Sequence, residues 1–190
     1  GDSLGIATSY SNMGVICRIQ KKLEEGLSYY FLALGIRERN NDERGVSQVL
    51  FNIGSLYTDM NRTEDGLAYY ERSYAIKLRL GDQYGRLPYF LNTGELYGSI
   101  GKPVQQEAAF LTGLALADSL MAADYIKSFS LALSEYYAIH NDFSKAYFYG
   151  KRYSDIKDTL LSRDKNAELS RLQASYDLSE KQRNIEKLTR

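Results

Sequence analysis

The sequence is poor in the residues on which most chemistry and cross-linking depend: it has one cysteine, one histidine, two prolines and no tryptophan. A single cysteine excludes an intramolecular disulfide framework, which leaves both the cytosol and the periplasm open. The single histidine, His140, cannot build a histidine-rich metal site, and we interpret it as an exposed turn residue. The common phosphate-binding, zinc-protease and hydrolase motifs are also missing. We therefore expect this chain to have no enzyme activity, no cofactor and no metal ion.

Charge and hydropathy argue against two kinds of partner. The 24 basic and 24 acidic residues cancel, so the whole chain has no net field to attract nucleic acid or an anionic membrane. The most apolar stretch, residues 108–117, is much shorter than the ~20 residues of a spanning helix. The chain also begins at Gly1 without methionine, within a turn between repeats. We interpret it as part of a longer protein, so that a targeting segment can lie outside it.

The sequence does contain an internal repeat, in which one pattern of residue types returns at a constant step. Glycine, aspartate, asparagine and tyrosine recur at this step, in the columns Gly14, Gly54 and Gly94; Gly5, Gly45 and Gly85; Asp2, Asp42 and Asp82; Asn12, Asn52 and Asn92; and Tyr57, Tyr97 and Tyr137. A period of about 40 residues indicates one supersecondary unit that is copied and stacked. Apolar residues within each unit follow the three- and four-residue spacing of amphipathic helices, and no useful stretch alternates with period two. The sequence therefore predicts an all-α solenoid of antiparallel helix hairpins.

Glycines mark two kinds of position in these hairpins. Gly14, Gly54 and Gly94 lie mid-helix, where glycine costs about 1 kcal/mol relative to alanine. Because all three share one register, we expect the backbone of a neighbouring helix to approach there. Gly81 and Gly101 follow helical segments, and we expect them to end those helices in the left-handed conformation.

These residues resemble the tetratricopeptide repeat (TPR) family. The motif residues of the first three units are Tyr10, Met13, Gly14, Cys17, Gly26, Tyr30 and Ala33; Leu50, Ile53, Gly54, Tyr57, Gly66, Tyr70 and Ser73; and Phe90, Thr93, Gly94, Tyr97, Gln106, Phe110 and Gly113. A fourth, degenerate unit brings the resemblance to about residues 1–160. The period is longer than that of the common TPR. In this it is similar to the long TPRs of Bacteroides-type bacterial sensor kinases and regulators, and to those of kinesin light chains.

The resemblance implies a right-handed TPR superhelix of four antiparallel hairpins plus a long C-terminal helix. The repeats are expected at about residues 1–40, 41–80, 81–120 and 121–160, and a capping or connector helix at 161–190. Two interpretations of the last helix remain open: a solvated cap, or the start of a coiled-coil seam. The seam would consist of Ala174, Leu178, Lys181, Ile185 and Leu188. The segment also resembles the helical connector that precedes the membrane span in such sensor kinases.

In TPR arrays the first helix of each hairpin lines a concave groove. The groove positions that we select by register as a peptide-binding site are Asn12, Asn52, Asn92, Phe51, Ser55, Asp59, Leu91, Glu95, Leu131 and Glu135. A carboxamide both donates and accepts hydrogen bonds, so a row of asparagines can hold the backbone of an extended peptide. Alternatively, these asparagines bond to the adjacent hairpin and only set the repeat stacking.

The same register argues against one known mode of TPR binding. The positions that match the carboxylate clamp of chaperone-binding TPRs carry no cation; they are Ser11, Val15, Asn52, Pro88 and Asn92. The carboxylates of Asp59, Glu95 and Glu135 instead favour a basic or neutral segment.

The sequence thus predicts a protein–protein or peptide-binding scaffold, which we interpret as the sensory or interaction region of a larger bacterial signalling protein. The expected partner is a protein or an extended peptide, with no nucleic-acid binding and no membrane insertion by this chain. The alternative is a structural module that forms a homodimer through its C-terminal helix and positions an output domain. The periplasmic part of a membrane-linked sensor is the favoured location, with the cytoplasm as the alternative.

Overall fold

The structure is a computed structural model that describes residues 2–188, without the side chains of residues 177, 179, 180 and 182–188. It contains eight α-helices: α1 (Ser3–Ile19), α2 (Leu23–Arg39), α3 (Glu43–Asp59), α4 (Thr63–Arg79), α5 (Leu87–Ser99), α6 (Pro103–Ser119), α7 (Ala123–Ile139) and α8 (Phe143–Leu188). A short 3-10 turn, Tyr84–Arg86, precedes α5. The described residues include no strand, and the prediction of an all-α fold is confirmed.

Turns of one geometry separate these helices. In each turn one residue has a positive φ between 51° and 69°. The amide of the next residue then donates to the carbonyl five positions earlier, which is the Schellman pattern of helix ends. The positive-φ residues are Lys21, Asn41, Asn61, Gly81, Gly101, Met121 and Asn141. They are evenly spaced at half the step of the sequence repeat, so each repeat consists of two structural half-repeats, and Gly81 and Gly101 end helices as predicted.

The aspartate column has a structural role at helix starts. The side chain of Asp2 accepts a hydrogen bond from the amide of Gly5 at 2.8 Å, and that of Asp42 from Gly45 at 3.0 Å. Asp82 does the same for Gly85 at 2.8 Å, ahead of the 3-10 turn. These bonds satisfy amide groups that a helix start leaves without partners.

Residues 1–122 form one compact unit. Within it, α1 pairs with α2, α3 with α4, and α5 with α6. Because α2 also packs on α3 and α4 on α5, the three hairpins stack in chain order. The core of this unit is centred on Leu50, Ile53 and Leu56 of α3, which are at most 1% exposed. Tyr30 and Tyr70, from the second helices of the first two hairpins, are buried to the same extent.

Residues 123–190 form the second compact unit, a single hairpin in which α7 pairs with α8. The hydroxyl of Ser134 donates to the carbonyl oxygen of Ala146 at 2.8 Å, and the rings of Tyr137 and Tyr149 stack at 5.6 Å. α8 continues for 46 residues without a break. The boundary that we predict at residue 160 therefore lies inside a helix, and it stays a prediction. No helix in the described part of the chain combines the length and apolarity needed to cross a membrane.

The mid-helix glycines contact aromatic rings more closely than backbone. A Cβ atom added to Gly14 would lie 2.7 Å from the ring of Tyr30, and one added to Gly54 would lie 2.8 Å from the ring of Tyr70. The ring of Phe110 covers Gly94 in the same way. The expected backbone approach is present at Gly54, where the Gly66 carbonyl oxygen would lie 3.1 Å from the added Cβ. The prediction of close contact was right, but its main cause is an aromatic ring from the second helix of the same hairpin.

Candidate functional site

The three asparagines of the predicted row lie on α1, α3 and α5, the first helices of the three stacked hairpins. Asn12 is exposed, whereas Asn52 and Asn92 are half-buried. The Asn52 Oδ1 atom accepts a long hydrogen bond from Gln48 Nε2 at 3.5 Å. Asn92 Nδ2 donates to the carbonyl oxygen of Pro88 at 2.7 Å. Both bonds stay within one helix, so the amide group of Asn52 and the amide oxygen of Asn92 retain hydrogen-bonding capacity.

The contacts that join the first two hairpins come from other residues. Asp59 of α3 accepts from Arg18 of α1 through both oxygens, at 2.6 Å from Nε and 3.3 Å from the guanidinium nitrogen Nη2. Two other pairs lie within a single hairpin: the hydroxyl of Ser3 in α1 donates to Asn40 at the end of α2 at 3.0 Å, and Arg79 of α4 contacts Glu43 of α3 at 2.6 Å. In the described part of the chain, no hydrogen bond from Asn52 or Asn92 crosses between hairpins.

Asp59 thus has a cationic partner, which changes the electrostatics that we expected at this point. Its hydrogen bond raises the pKa of the Arg18 guanidinium above its ordinary value. The two residues line a pocket of about 320 Å³ together with Val15, Tyr30 and Asn52. Because Arg18 compensates Asp59, this carboxylate does not make the face acidic. The pocket also shows that Asn52 and the α1 residues Val15 and Arg18 face one common space.

The two remaining α3 candidates have different surroundings. Phe51 is half-buried, and its ring lies 4.9 Å from that of Tyr70. Ser55 is only 5% exposed, and its hydroxyl is 3.1 Å from the Tyr70 hydroxyl. Ser55 therefore supports the buried Tyr70, and Phe51 is the apolar side chain that α3 can offer to a ligand.

The other predicted site residues are divided between the two compact units. Leu91 and Glu95 lie on α5, where Leu91 is half-buried and Glu95 is exposed. Leu131 and Glu135 lie on α7 in the second unit, and both are exposed.

Sequence reasoning missed two basic residues near this face, Arg18 and Lys77. Nothing marked Arg18, because its equivalents in the next two repeats are Thr58 and Gly98. Lys77 did have a signal, since it occupies the repeat position of Arg37. Among the described side chains, no cluster of three or more His, Cys, Asp or Glu residues could hold a metal ion.

Comparison with known proteins agrees with this geometry. Residues 5–79, which span α1 to α4 almost completely, match the family model described as Tetratricopeptide repeat. The stacked hairpins define a helical-repeat protein. Residues 5–79 therefore consist of tetratricopeptide repeats, and solved structures with TPR-like repeats share the fold over most of this chain. A search of curated protein sequences gives no significant match.

Solved structures share the fold at low sequence identity. BtubC (BKLC) from P. vanneervenii matches with a TM-score of 0.75 and 21% identity, over 84% of this chain and 66% of that one. A Rap protein complexed with competence and sporulation factor matches with a TM-score of 0.74 and 19% identity, over 82% of this chain and 44% of that one. A putative kinesin light chain from Podosopora anserina, with nearly identical TPR-like repeats, matches with a TM-score of 0.66 and 10% identity, over 82% and 76%. The chain thus spans just under two thirds of BtubC and less than half of the Rap protein.

Proposed function

We propose that this chain is a protein-interaction scaffold that binds an extended peptide segment along the face formed by α1, α3 and α5. The observation that carries the proposal is the row of asparagines, one from each of three consecutive first helices. Asn52 and Asn92 keep part of their hydrogen-bonding capacity, and Asn12 is exposed. A peptide backbone offers one donor and one acceptor per residue, which carboxamides can match without reading the side chains.

Two further observations support the proposal. The alternative role of the asparagines is in repeat stacking. Among the described residues, no hydrogen bond of Asn52 or Asn92 reaches another hairpin, and the Arg18–Asp59 pair joins α1 to α3 instead. One protein with the same fold is a Rap protein in complex with competence and sporulation factor. The position of this chain within a larger bacterial signalling protein is part of the proposal, and it depends on the sequence resemblance described above.

Alanine substitution of two asparagines tests the proposal. Peptides that bind the wild-type chain are selected from a displayed random library, and their affinities are measured by calorimetry. We expect Asn52→Ala combined with Asn92→Ala to weaken binding about 5- to 150-fold, because each lost hydrogen bond is worth about 0.5–1.5 kcal/mol. The free energy of unfolding should change by no more than about 0.5 kcal/mol.

The matched control is Gln105→Ala, which removes an exposed carboxamide from α6, a second helix. It should leave peptide affinity unchanged. Equal binding by the wild type and the double variant would contradict the proposal, and a large loss of stability would assign the asparagines to repeat stacking.

A second candidate function, self-association through α8, is favoured by the surface of that helix. At about 1.5 Å per residue α8 is ~69 Å long and α7 only ~25 Å, so α7 can cover only part of it. Several apolar side chains on the remainder are more than half exposed: Leu161, Leu169, Leu172, Tyr176 and Leu178. Of the predicted coiled-coil seam, the side chains of Ile185 and Leu188 lie outside the described residues.

Molar mass in solution tests this second candidate. Light scattering should give a dimer for the wild type and a monomer for the variant carrying Leu169→Asp and Leu172→Asp, because both substitutions place charge among the exposed apolar side chains of α8. Removal of residues 177–190 provides an independent comparison. A monomer in every case would exclude self-association.

A further inference from the structure

A polar pocket lies beside the proposed peptide-binding face, between the second hairpin and the turn that leads to the third. Its volume is about 400 Å³. The lining residues are Arg44, Ser47 and Gln48 of α3, Lys77 of α4, and Leu80, Gly81, Asp82 and Gly85 of the turn region. The pocket adjoins the asparagine row, because Gln48, which lines the pocket, donates to Asn52 at 3.5 Å, and Lys77 lies over the ring of Phe51.

The notable side chain in this pocket is that of Lys77. It is only 7% exposed, and its ammonium group lies 5.0 Å from the centre of the Phe51 ring. Among the described residues, none forms a hydrogen bond or an ion pair with it. The carboxylate of Asp82 attracts the ammonium group but is not within ion-pair distance, and burial lowers the pKa of Lys77. A buried cation without an anionic partner is costly, and an anion bound in this pocket would offset that cost.

The preceding repeat shows how the same position looks when it is closed. Arg37 occupies the position of Lys77, and Asp42 that of Asp82. The Arg37 guanidinium forms a 2.5 Å ion pair with Asp42 and donates to Thr8 at 3.2 Å. A Cβ added to Gly45 would meet the Arg37 side chain, whereas the three nearest atoms to a Cβ added to the equivalent Gly85 all belong to Asp82. The shorter lysine thus leaves open the space that arginine fills one repeat earlier.

We propose that the pocket around Lys77 binds a carboxylate group of the partner peptide, either an acidic side chain or the C-terminus. This inference rests on the proposed function and adds a specificity element to it. Lys77 and Arg44 bring two positive charges, against one negative charge on Asp82. One oxygen of Asp82 is already engaged by the amide of Gly85. The position differs from the carboxylate clamp considered above, because Lys77 lies on the second helix of its hairpin.

Nuclear magnetic resonance titration of the full chain tests the proposal, with the backbone amides of Ser47, Gly81 and Gly85 as reporters. Three probes are compared: a blocked alanine pentapeptide with a central glutamate, its glutamine counterpart, and an alanine pentapeptide with a free carboxyl terminus. We expect saturable shifts with the glutamate probe and roughly tenfold weaker binding of the glutamine probe. The free-carboxylate probe decides whether a C-terminus also serves as ligand. Absence of saturable shifts with both carboxylate probes overturns the proposal.

Two variants at one position sharpen the test. Lys77→Met removes the charge and keeps the apolar stem. Lys77→Arg keeps the charge but is expected to pair with Asp82, as Arg37 pairs with Asp42, and so to close the pocket. Both should lose carboxylate binding by about tenfold or more. Wild-type affinity in Lys77→Met overturns the proposal, and wild-type affinity in Lys77→Arg overturns its geometric basis.

Two controls separate this inference from the proposed function. Lys151→Met removes an exposed lysine from α8 and should leave carboxylate binding unchanged. Library-selected peptides that lack acidic groups and end in an amide are measured on the Lys77 variants. They should bind these variants as they bind the wild type. The proposal for the asparagine row and the proposal for the Lys77 pocket are therefore tested separately.

Discussion

At the residue scale, the glycines of the first helices are needed because aromatic side chains cover them. Tyr30, Tyr70 and Phe110 each lie over a glycine in the preceding helix. The buried hydroxyl of Tyr70 is in turn held by Ser55. Burial raises the pKa of Tyr70 above its ordinary value, so the phenol stays neutral in the core. A glycine and its aromatic partner thus form one packing unit, in which neither can be changed alone.

Alanine substitution of Gly54 should therefore destabilise the fold by about 1–3 kcal/mol, despite the higher helix propensity of alanine. The added Cβ would lie 2.8 Å from the Tyr70 ring and 3.1 Å from the Gly66 carbonyl oxygen. The measurement is urea unfolding followed by circular dichroism.

Gly35 is the matched control, because it also lies within a helix but has space for a side chain. The nearest atom to its added Cβ is the end of the Arg39 side chain, at 4.0 Å. Gly35→Ala should stabilise the protein by about 0.5–1 kcal/mol. A stability gain from Gly54→Ala would contradict the packing explanation.

At the element scale, most of the helices have one length, and the turns between them are of one kind. Of the eight helices within residues 2–188, six have 17 residues. Each of the turns places one residue in the left-handed region, which glycine and asparagine adopt most easily. Lys21 and Met121 occupy the same position without that advantage.

Met121→Asn should stabilise the protein by about 0.5–1 kcal/mol, since asparagine tolerates the left-handed conformation better. Met121 is 85% exposed, so the substitution loses little packing. Differential scanning calorimetry of the wild type and the variant measures the effect.

The opposite effect is expected at another turn, where Gly101→Ala should lower the free energy of unfolding by about 1–2 kcal/mol. An added Cβ at Gly101 has no neighbour within 4 Å, so the cost would come from backbone conformation alone. Unchanged stability in both variants would show that the turn conformation does not limit stability.

At the scale of the whole molecule, the repeat register allowed much of the fold to be predicted. Because columns such as Gly14, Gly54 and Gly94 recur at a fixed step, they indicated copied hairpins and the helix pairing followed. The structural half-repeat was hidden, since its turn position holds lysine, methionine, asparagine or glycine. The continuity of α8 was also hard to predict. The change to a highly charged sequence near residue 160 suggested a new segment, but charged residues are compatible with an uninterrupted helix.

The candidate site was less accessible from the sequence, because pairing decides what each side chain can do. The register placed Asp59 at the groove, but it could not show that Arg18, from another repeat, would compensate its charge. It also gave no sign that Ser55 would bond to Tyr70. Only the comparison of Lys77 with Arg37, position by position, reveals the open pocket.

The most direct test of the account is to observe the asparagine side chains while a peptide binds. In a titration of the ¹⁵N-labelled chain with a library-selected peptide, the side-chain amide resonances of Asn52 and Asn92 should shift together and saturate at the same peptide concentration. Shifts confined to α2, α4 and α6, with both asparagine resonances unmoved at saturation, would contradict the account.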